Sequence, residues 1–126
     1  MKSTIKKDGT GQRRGWTAGE IEQVIILYLT MRTIQRNPEK FGKLKKAPLV
    51  REYAEDLGRS KGSIECKLMN ISHCIQELKL GEIVQGYKPL RNVQKGMLFV
   101  VEHVIRNTEE YWLEDGAEQH VFDLAA

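Results

Sequence analysis

The stretch at residues 57–71, LGRSKGSIECKLMNI, limits the folds open to this chain more than any other segment. A run of good helix formers stops at Gly58, a residue that readily takes the left-handed conformation that ends helices. Two polar residues follow, Arg59 and Ser60, and serine is a favoured N-cap for the amphipathic run that comes next. The sequence therefore predicts two helices joined by a short glycine turn.

Apolar spacing predicts four helices in all. The first should begin after Trp16, because Thr17 and Glu20 have the spacing of a capping box, with Ile21 positioned to pack against Trp16. Asn92 should be the N-cap of the last helix. The predicted helices cover residues 18–31, 48–58, 60–79 and 93–107.

The chain shows no internal repeat and no long alternating pattern of the kind that strands produce. We expect an all-α, compact four- to five-helix domain containing a helix-turn-helix-like unit, of a size to bury one modest core. The organisation that we predict is a flexible basic arm at residues 1–15, a helical domain at 16–107 and an acidic C-terminal tail at 108–126.

No apolar run approaches the ~20 residues that a membrane-spanning helix needs. The N-terminus has basic residues but no apolar segment after them, so it does not resemble a secretory signal. We expect a cytoplasmic protein, in which Cys66 and Cys74 are reduced thiols.

A helical wheel of residues 60–79 separates three surfaces. Ile64, Leu68, Ile71, Ile75 and Leu78 form one apolar stripe for the core. A polar flank holds Ser63, Lys67 and Asn70, and the side opposite the core holds Gly62, Cys66, Met69 and His73.

This polar flank has two interpretations. Lys67 could pair with phosphate, Ser63 could donate a hydrogen bond, and Asn70 could read an adenine edge in a DNA groove. Alternatively, Ser63 and Asn70 bond neighbouring loops and Lys67 is solvated. The start of this helix also has two interpretations. It could be a phosphate site at the positive helix end, formed by Arg59, Ser60 and Lys61, or a plain N-cap with two basic neighbours.

Other basic residues extend the predicted DNA-binding surface. Net charge is only +3, but most Lys and Arg residues fall in the first half of the chain. Tyr87 and Lys88 lie in a constrained Gly-Tyr-Lys-Pro turn, where the tyrosine either stacks on a nucleotide or, as we favour, closes the domain against the third helix. The candidate phosphate clamps are Lys6, Lys7, Arg13 and Arg14 in the arm, and Lys43, Lys45 and Lys46 in the first loop.

Catalytic and metal-binding patterns are absent from the sequence. His73, His103 and His120 are scattered, and their spacing to the cysteines does not suit zinc. No phosphate-binding glycine loop or nucleophile elbow occurs. We therefore expect no enzyme activity, no metal and no cofactor.

Three ordered motifs resemble a known family. WTAGE, LGRSKGSIECKLMNIS and GYKPLRNVQ look like the N-terminal DNA-recognition domain that precedes HNH nuclease domains in bacterial restriction-type endonucleases, including modification-dependent ones. The Trp-Thr opening and the Gly-Arg-Ser turn are also similar to Myb/SANT-like three-helix DNA binders. The matching positions are Trp16, Gly58, Arg59, Ser60, Ser63, Ile64, Lys67, Asn70, Gly86, Tyr87, Lys88, Pro89, Asn92 and Gln94.

The resemblance implies a module that recognises double-stranded DNA, with modified DNA among the candidate targets. The 126 residues carry no HNH nuclease domain, so cleavage is not part of what the resemblance implies. A separate nuclease or other effector protein is then the expected partner.

Two functions of different classes follow from the sequence. The first is a non-catalytic double-stranded DNA-binding module, acting as a regulatory or specificity protein related to restriction systems. The alternative is a protein–protein adaptor that retains the fold and binds a nuclease or itself as a homodimer. Met69, predicted to be exposed beside Cys66, favours the adaptor because exposed apolar side chains mark interfaces.

Overall fold

The computed structural model describes residues 15–113. This part of the chain is all-helical and contains no strand, so the predicted all-α class is confirmed. Two sets of predicted residues lie outside the described part of the chain. They are Arg13 and Arg14 of the arm, predicted to contact DNA, and residues 114–126 of the predicted tail. The helices are α1 (Ala18–Arg36), α2 (Pro38–Phe41), α3 (Lys46–Leu57), α4 (Lys61–Leu78) and α5 (Met97–Leu113).

Local capping chemistry sets the starts of α1 and α4. The Glu20 backbone N–H donates to the Thr17 side chain at 3.1 Å, and the Glu20 carboxylate accepts from the Thr17 backbone N–H at 3.0 Å. Ser60 caps α4 by accepting from the Ser63 backbone N–H at 3.1 Å. Gly58 ends α3 with φ of 64°. The predicted capping box and glycine turn are therefore confirmed.

The predicted end of the first helix was wrong. Instead of stopping at Met31, α1 continues to Arg36, and the short α2 occupies part of the predicted loop. Ile34 and Phe41 are buried together there, with Leu44 and Leu49 packed against them. This small second core holds the extra turns in place, and the gain from burial outweighs the polar local sequence.

The predicted limits of the last helix were also wrong. It begins at Met97 rather than Val93 and runs to Leu113 rather than Asn107. Gly96 has φ of 86°, a left-handed conformation that an α-helix cannot include, so the helix begins after it. Asn92 consequently belongs to the loop before α5 and does not cap the helix.

The exposure of two apolar side chains, one on α5 and one on α4, bears on possible interfaces. Phe99 on α5 is 71% exposed, and its ring stacks on His103 with the centroids 6.0 Å apart. The α5 core positions include Met97 and Val101, and a residue two places after Met97 faces away from them. Met69 was expected to be exposed but is half-buried against the core.

A buried hydrogen-bond network joins α1, α4 and the loop between α4 and α5. The Tyr28 hydroxyl lies 2.7 Å from the Ser72 hydroxyl and accepts from the Val84 backbone N–H at 2.8 Å. Tyr28 and Ser72 are fully buried. Because water cannot replace these partners, the network fixes the start of the loop against the two helices.

The variant Tyr28→Phe should lower the free energy of unfolding by about 1–3 kcal/mol, because it leaves the Val84 N–H buried without its acceptor. Urea unfolding followed by circular dichroism measures this loss. Tyr53→Phe, at a half-buried tyrosine on α3, is the matched control. Equal stability of Tyr28→Phe and the unmodified protein would show that the network contributes little.

None of the helices within residues 15–113 is both long and apolar enough to cross a membrane.

Candidate nucleic-acid interface

The first turn of α4 is the exposed part of the predicted DNA-reading helix. Ser60, Lys61 and Gly62 are exposed and Ser63 is half-buried, whereas most of the helix from Lys67 onwards is covered by its neighbours. The Ile64 backbone N–H makes the first intrahelical bond, to the Ser60 carbonyl. The N–H groups before it have no helical acceptor, and they give this end of α4 its positive potential.

Arg59 lies inside the domain, although it was predicted as a phosphate anchor. It is 6% exposed. Its Nη2 and Nε donate to the two Glu20 carboxylate oxygens at 2.9 and 3.2 Å, and Nη2 also donates to the Gly15 carbonyl at 2.8 Å. The guanidinium carbon lies 4.0 Å from the centre of the Trp16 ring. Arg59 thus joins the start of α1 to the turn before α4.

Lys67 and Gln94 complete the group around Trp16. Lys67 is 8% exposed, with its Nζ 5.3 Å from the centre of the Trp16 ring. Burial lowers the pKa of Lys67, and the neighbouring Arg59 charge lowers it further. Gln94 donates from Nε2 to the Trp16 carbonyl at 2.9 Å. We call Trp16, Glu20, Arg59, Lys67 and Gln94 the Trp16 cluster.

The Trp16 cluster fixes where the N-terminal segment joins the domain. Arg59 holds the Gly15 carbonyl and Gln94 holds the Trp16 carbonyl, so two successive backbone groups are bound. Arg59 directly precedes Ser60, the N-cap of α4. Gly15 and Trp16 are therefore held beside the exposed start of α4.

Asn70 bonds the loop between α4 and α5, as the second interpretation of the polar flank predicted. It is 4% exposed, and its Nδ2 donates to the Leu90 carbonyl at 2.8 Å and more weakly to the Asn92 carbonyl at 3.5 Å. The Leu90 N–H donates to the Met69 carbonyl at 3.1 Å. The loop covers this flank of α4, which is why Asn70 is not at the surface.

Tyr87 closes the domain, as favoured from the sequence. Its ring is buried, and the Lys46 ammonium lies 5.2 Å from the ring centre while donating to the Gln85 carbonyl. Burial and, to a smaller extent, the charge of Glu65 raise the pKa of Tyr87. The start of α3 and the Gly-Tyr-Lys-Pro turn consequently lie beside the second turn of α4.

Two exposed lysines lie next to these bound residues in the chain. Lys45 precedes the bound Lys46, and Lys88 follows the buried Tyr87; both are exposed. We call this set, together with the start of α4, the basic surface: Lys45, Ser60, Lys61, Ser63 and Lys88. The exposed side of α3 differs in charge, because it carries Glu52, Glu55 and Asp56 beside Arg51.

The sequence did not reveal the partners of Arg59. Glu20 was assigned only to the capping box, and Gln94 only to a motif of the resemblance. The signal that could have found them is Trp16 directly before a capping box, since a large aromatic side chain in that position usually has several packing partners.

No group of three or more His, Cys, Asp or Glu side chains in the described part of the chain is arranged to hold a metal ion. Comparisons of the chain with protein-family models, with curated protein sequences and with solved structures gave no match.

Proposed function

We propose that this protein is a non-catalytic module that binds double-stranded DNA, with α3, the turn at residues 58–60 and α4 acting as a helix-turn-helix-like unit. The observation that carries the proposal is the exposed, positive start of α4 directly beside the attachment point of a basic N-terminal segment. Helix-turn-helix proteins read DNA with the N-terminal residues of their second helix, which is the part of α4 that is exposed here.

Each part of the basic surface has a role in this proposal. The free N–H groups at the start of α4 and Lys61 bind a phosphate, and Ser63 approaches the groove. Lys45 and Lys88 contact flanking phosphates. The N-terminal segment adds charge from Lys6, Lys7, Arg13 and Arg14, and segments of this kind enter the minor groove in other helical DNA readers.

Arg59, Lys67 and Asn70 act in this proposal as positioning residues. Their polar groups face Glu20, Trp16 and the loop carbonyls, so they determine where the N-terminal segment and the loop lie. A double alanine variant of Arg59 and Lys67 would therefore disturb the fold together with DNA binding. Exposed residues give a cleaner test.

The resemblance to restriction-type endonucleases supports a more specific form of the proposal. A DNA-recognition module of that kind would act in the cytoplasm as a regulatory or specificity protein, with modified DNA as one candidate target and a separate nuclease as its effector. Binding panels with methylated and unmethylated duplexes of one sequence test the target directly.

A protein–protein adaptor is the second candidate, and the exposed Phe99 on α5 favours it. The half-buried Met69 no longer contributes to that case. A stable homodimer in light scattering, together with no duplex binding at low salt, would support the adaptor and contradict the DNA-binding module.

The triple variant Lys45→Gln, Lys61→Gln, Lys88→Gln should weaken duplex binding by at least about 30-fold, because each lysine neutralises a phosphate. Fluorescence anisotropy with a labelled duplex at low salt measures the affinity. The triple variant Arg36→Gln, Lys79→Asn, Arg106→Gln removes the same charge around the opposite end of α4 from Ser60 and is the matched control. Equal weakening by both variants would show that duplex affinity depends on total charge alone, and it would contradict a role for the basic surface.

A further inference from the structure

A cavity of about 350 Å³ opens at the far end of the domain, between the last turns of α1, the end of α4 and the middle of α5. Leu80 and Ile105 contribute apolar surface to its wall. Four cationic side chains from three separate parts of the chain also line it: Arg32, Arg36, Lys79 and Arg106.

Arg32 is built into the wall of this cavity. It is 8% exposed, and its Nη1 donates to the Leu80 and Glu82 carbonyls at 3.1 and 3.2 Å. Gly81 has φ of 106°, and a Cβ there would lie 3.2 Å from the Arg32 Nη1. A glycine at this position thus lets the chain pass close to the guanidinium.

Two carboxylates partly balance the positive charges of Arg36 and Arg106. Arg36 pairs with Glu82 at 2.7 Å and Arg106 with Glu102 at 3.0 Å, and all four side chains are substantially exposed. Exposed pairs of this kind contribute little to stability, so an incoming anion can share or replace them. A guanidinium also has five N–H groups, more than one carboxylate oxygen can accept.

Helix-end electrostatics explains only part of this arrangement. Arg36 ends α1 and Lys79 caps α4, where cations stabilise the negative ends of helices. That role accounts neither for the buried Arg32 nor for Arg106 in the interior of α5. Arg32 is held by the Leu80 and Glu82 carbonyls and Arg106 pairs with Glu102, but neither contact requires the four cations to line one cavity with apolar surface.

We propose that this cavity binds a phosphorylated small molecule of about the size of a mononucleotide. Guanidinium groups match phosphate oxygens in charge and in geometry. The apolar wall would contact the organic part of the ligand, and the volume is at the lower end of small-molecule sites. The 18 residues of α4 span about 27 Å, and the cavity lies at the opposite end of that helix from Ser60. This site is therefore distinct from the exposed start of α4.

Isothermal titration of the full chain with adenosine monophosphate, adenosine and inorganic phosphate tests the proposal. We expect the monophosphate to bind more tightly than inorganic phosphate and adenosine not to bind. The variant Arg36→Gln, Lys79→Asn, Arg106→Gln should weaken this binding at least tenfold, whereas Lys45→Gln, Lys61→Gln, Lys88→Gln should leave it unchanged. Asparagine at position 79 keeps a residue that tolerates the left-handed cap.

Three results would overturn the proposal: no binding of the monophosphate at millimolar concentration, equal binding of adenosine, or equal loss in both triple variants. Thermal melts by circular dichroism establish that each variant is folded, and Arg106→Gln alone provides the test if the triple variant unfolds. We call Arg36→Gln, Lys79→Asn, Arg106→Gln the cavity variant. If it lost duplex affinity while Lys45→Gln, Lys61→Gln, Lys88→Gln kept it, the cavity would be a DNA-binding site, and both proposals would be contradicted.

Discussion

Arg59→Met should lower the free energy of unfolding by about 3–5 kcal/mol, the usual cost of removing one partner from a buried ion pair. The reason is that the Glu20 carboxylate, whose side chain is only 13% exposed, loses two charge-assisted hydrogen bonds and keeps its charge. The Gly15 carbonyl loses its donor as well. Urea unfolding at neutral pH measures the loss.

A double-mutant cycle provides the control for this result. Glu20→Gln combined with Arg59→Met should cost clearly less than the sum of the two single changes, since Glu20→Gln removes the carboxylate charge that Arg59→Met deprives of the Arg59 hydrogen bonds. Arg51→Met, at an exposed arginine on α3, should be nearly neutral. A loss below about 1 kcal/mol for Arg59→Met would mean that the pair behaves as a surface ion pair.

Cys74 should make the protein lose about 2–3 kcal/mol of stability between pH 9 and pH 11. Burial raises the pKa of the Cys74 thiol from 9.0 to about 11. Below pH 9 the thiol is protonated in both states and its full contribution is present. As the pH rises towards 11, the thiol of the unfolded chain ionises first, so the unfolded state is favoured and stability is lost.

Comparing variants isolates this contribution from other groups that titrate in the same range. Burial lowers the pKa of Lys67, and this amine therefore has the opposite effect. The protein gains stability from it as the pH rises towards 10.5. Cys74→Ala should therefore show a shallower alkaline decline than the unmodified protein, and Cys66→Ala, at the exposed cysteine, should not. Parallel curves for all three proteins would contradict the assignment to Cys74.

Local chemistry made much of the fold predictable. Thr17 with Glu20 and the Gly58–Ser60 turn need only neighbours within a few residues, and the structure has them as predicted. The errors came from interactions at longer range or from a single backbone angle. The extension of α1 depends on burial of Ile34 against Phe41, and the late start of α5 follows from the positive φ of Gly96.

The candidate site was less predictable for the same physical reason. A helical wheel shows which residues share a flank but not what covers that flank. Lys67 and Asn70 share one as predicted, yet Trp16 and the loop at residue 90 lie over them. The Arg59–Glu20 bond joins residues 39 apart in sequence, and the Gln94–Trp16 bond joins residues 78 apart. No local pattern encodes such pairs.

The salt dependence of duplex binding tests the central claim most directly. For the unmodified full chain, the logarithm of the association constant should fall linearly with the logarithm of salt concentration, with a slope of about −3 or steeper between about 50 and 200 mM salt. Lys45→Gln, Lys61→Gln, Lys88→Gln should make that slope shallower by about 2–3, whereas the cavity variant should keep it. Undetectable duplex binding at low salt, or an affinity that does not change with salt, would contradict the proposed DNA-binding function.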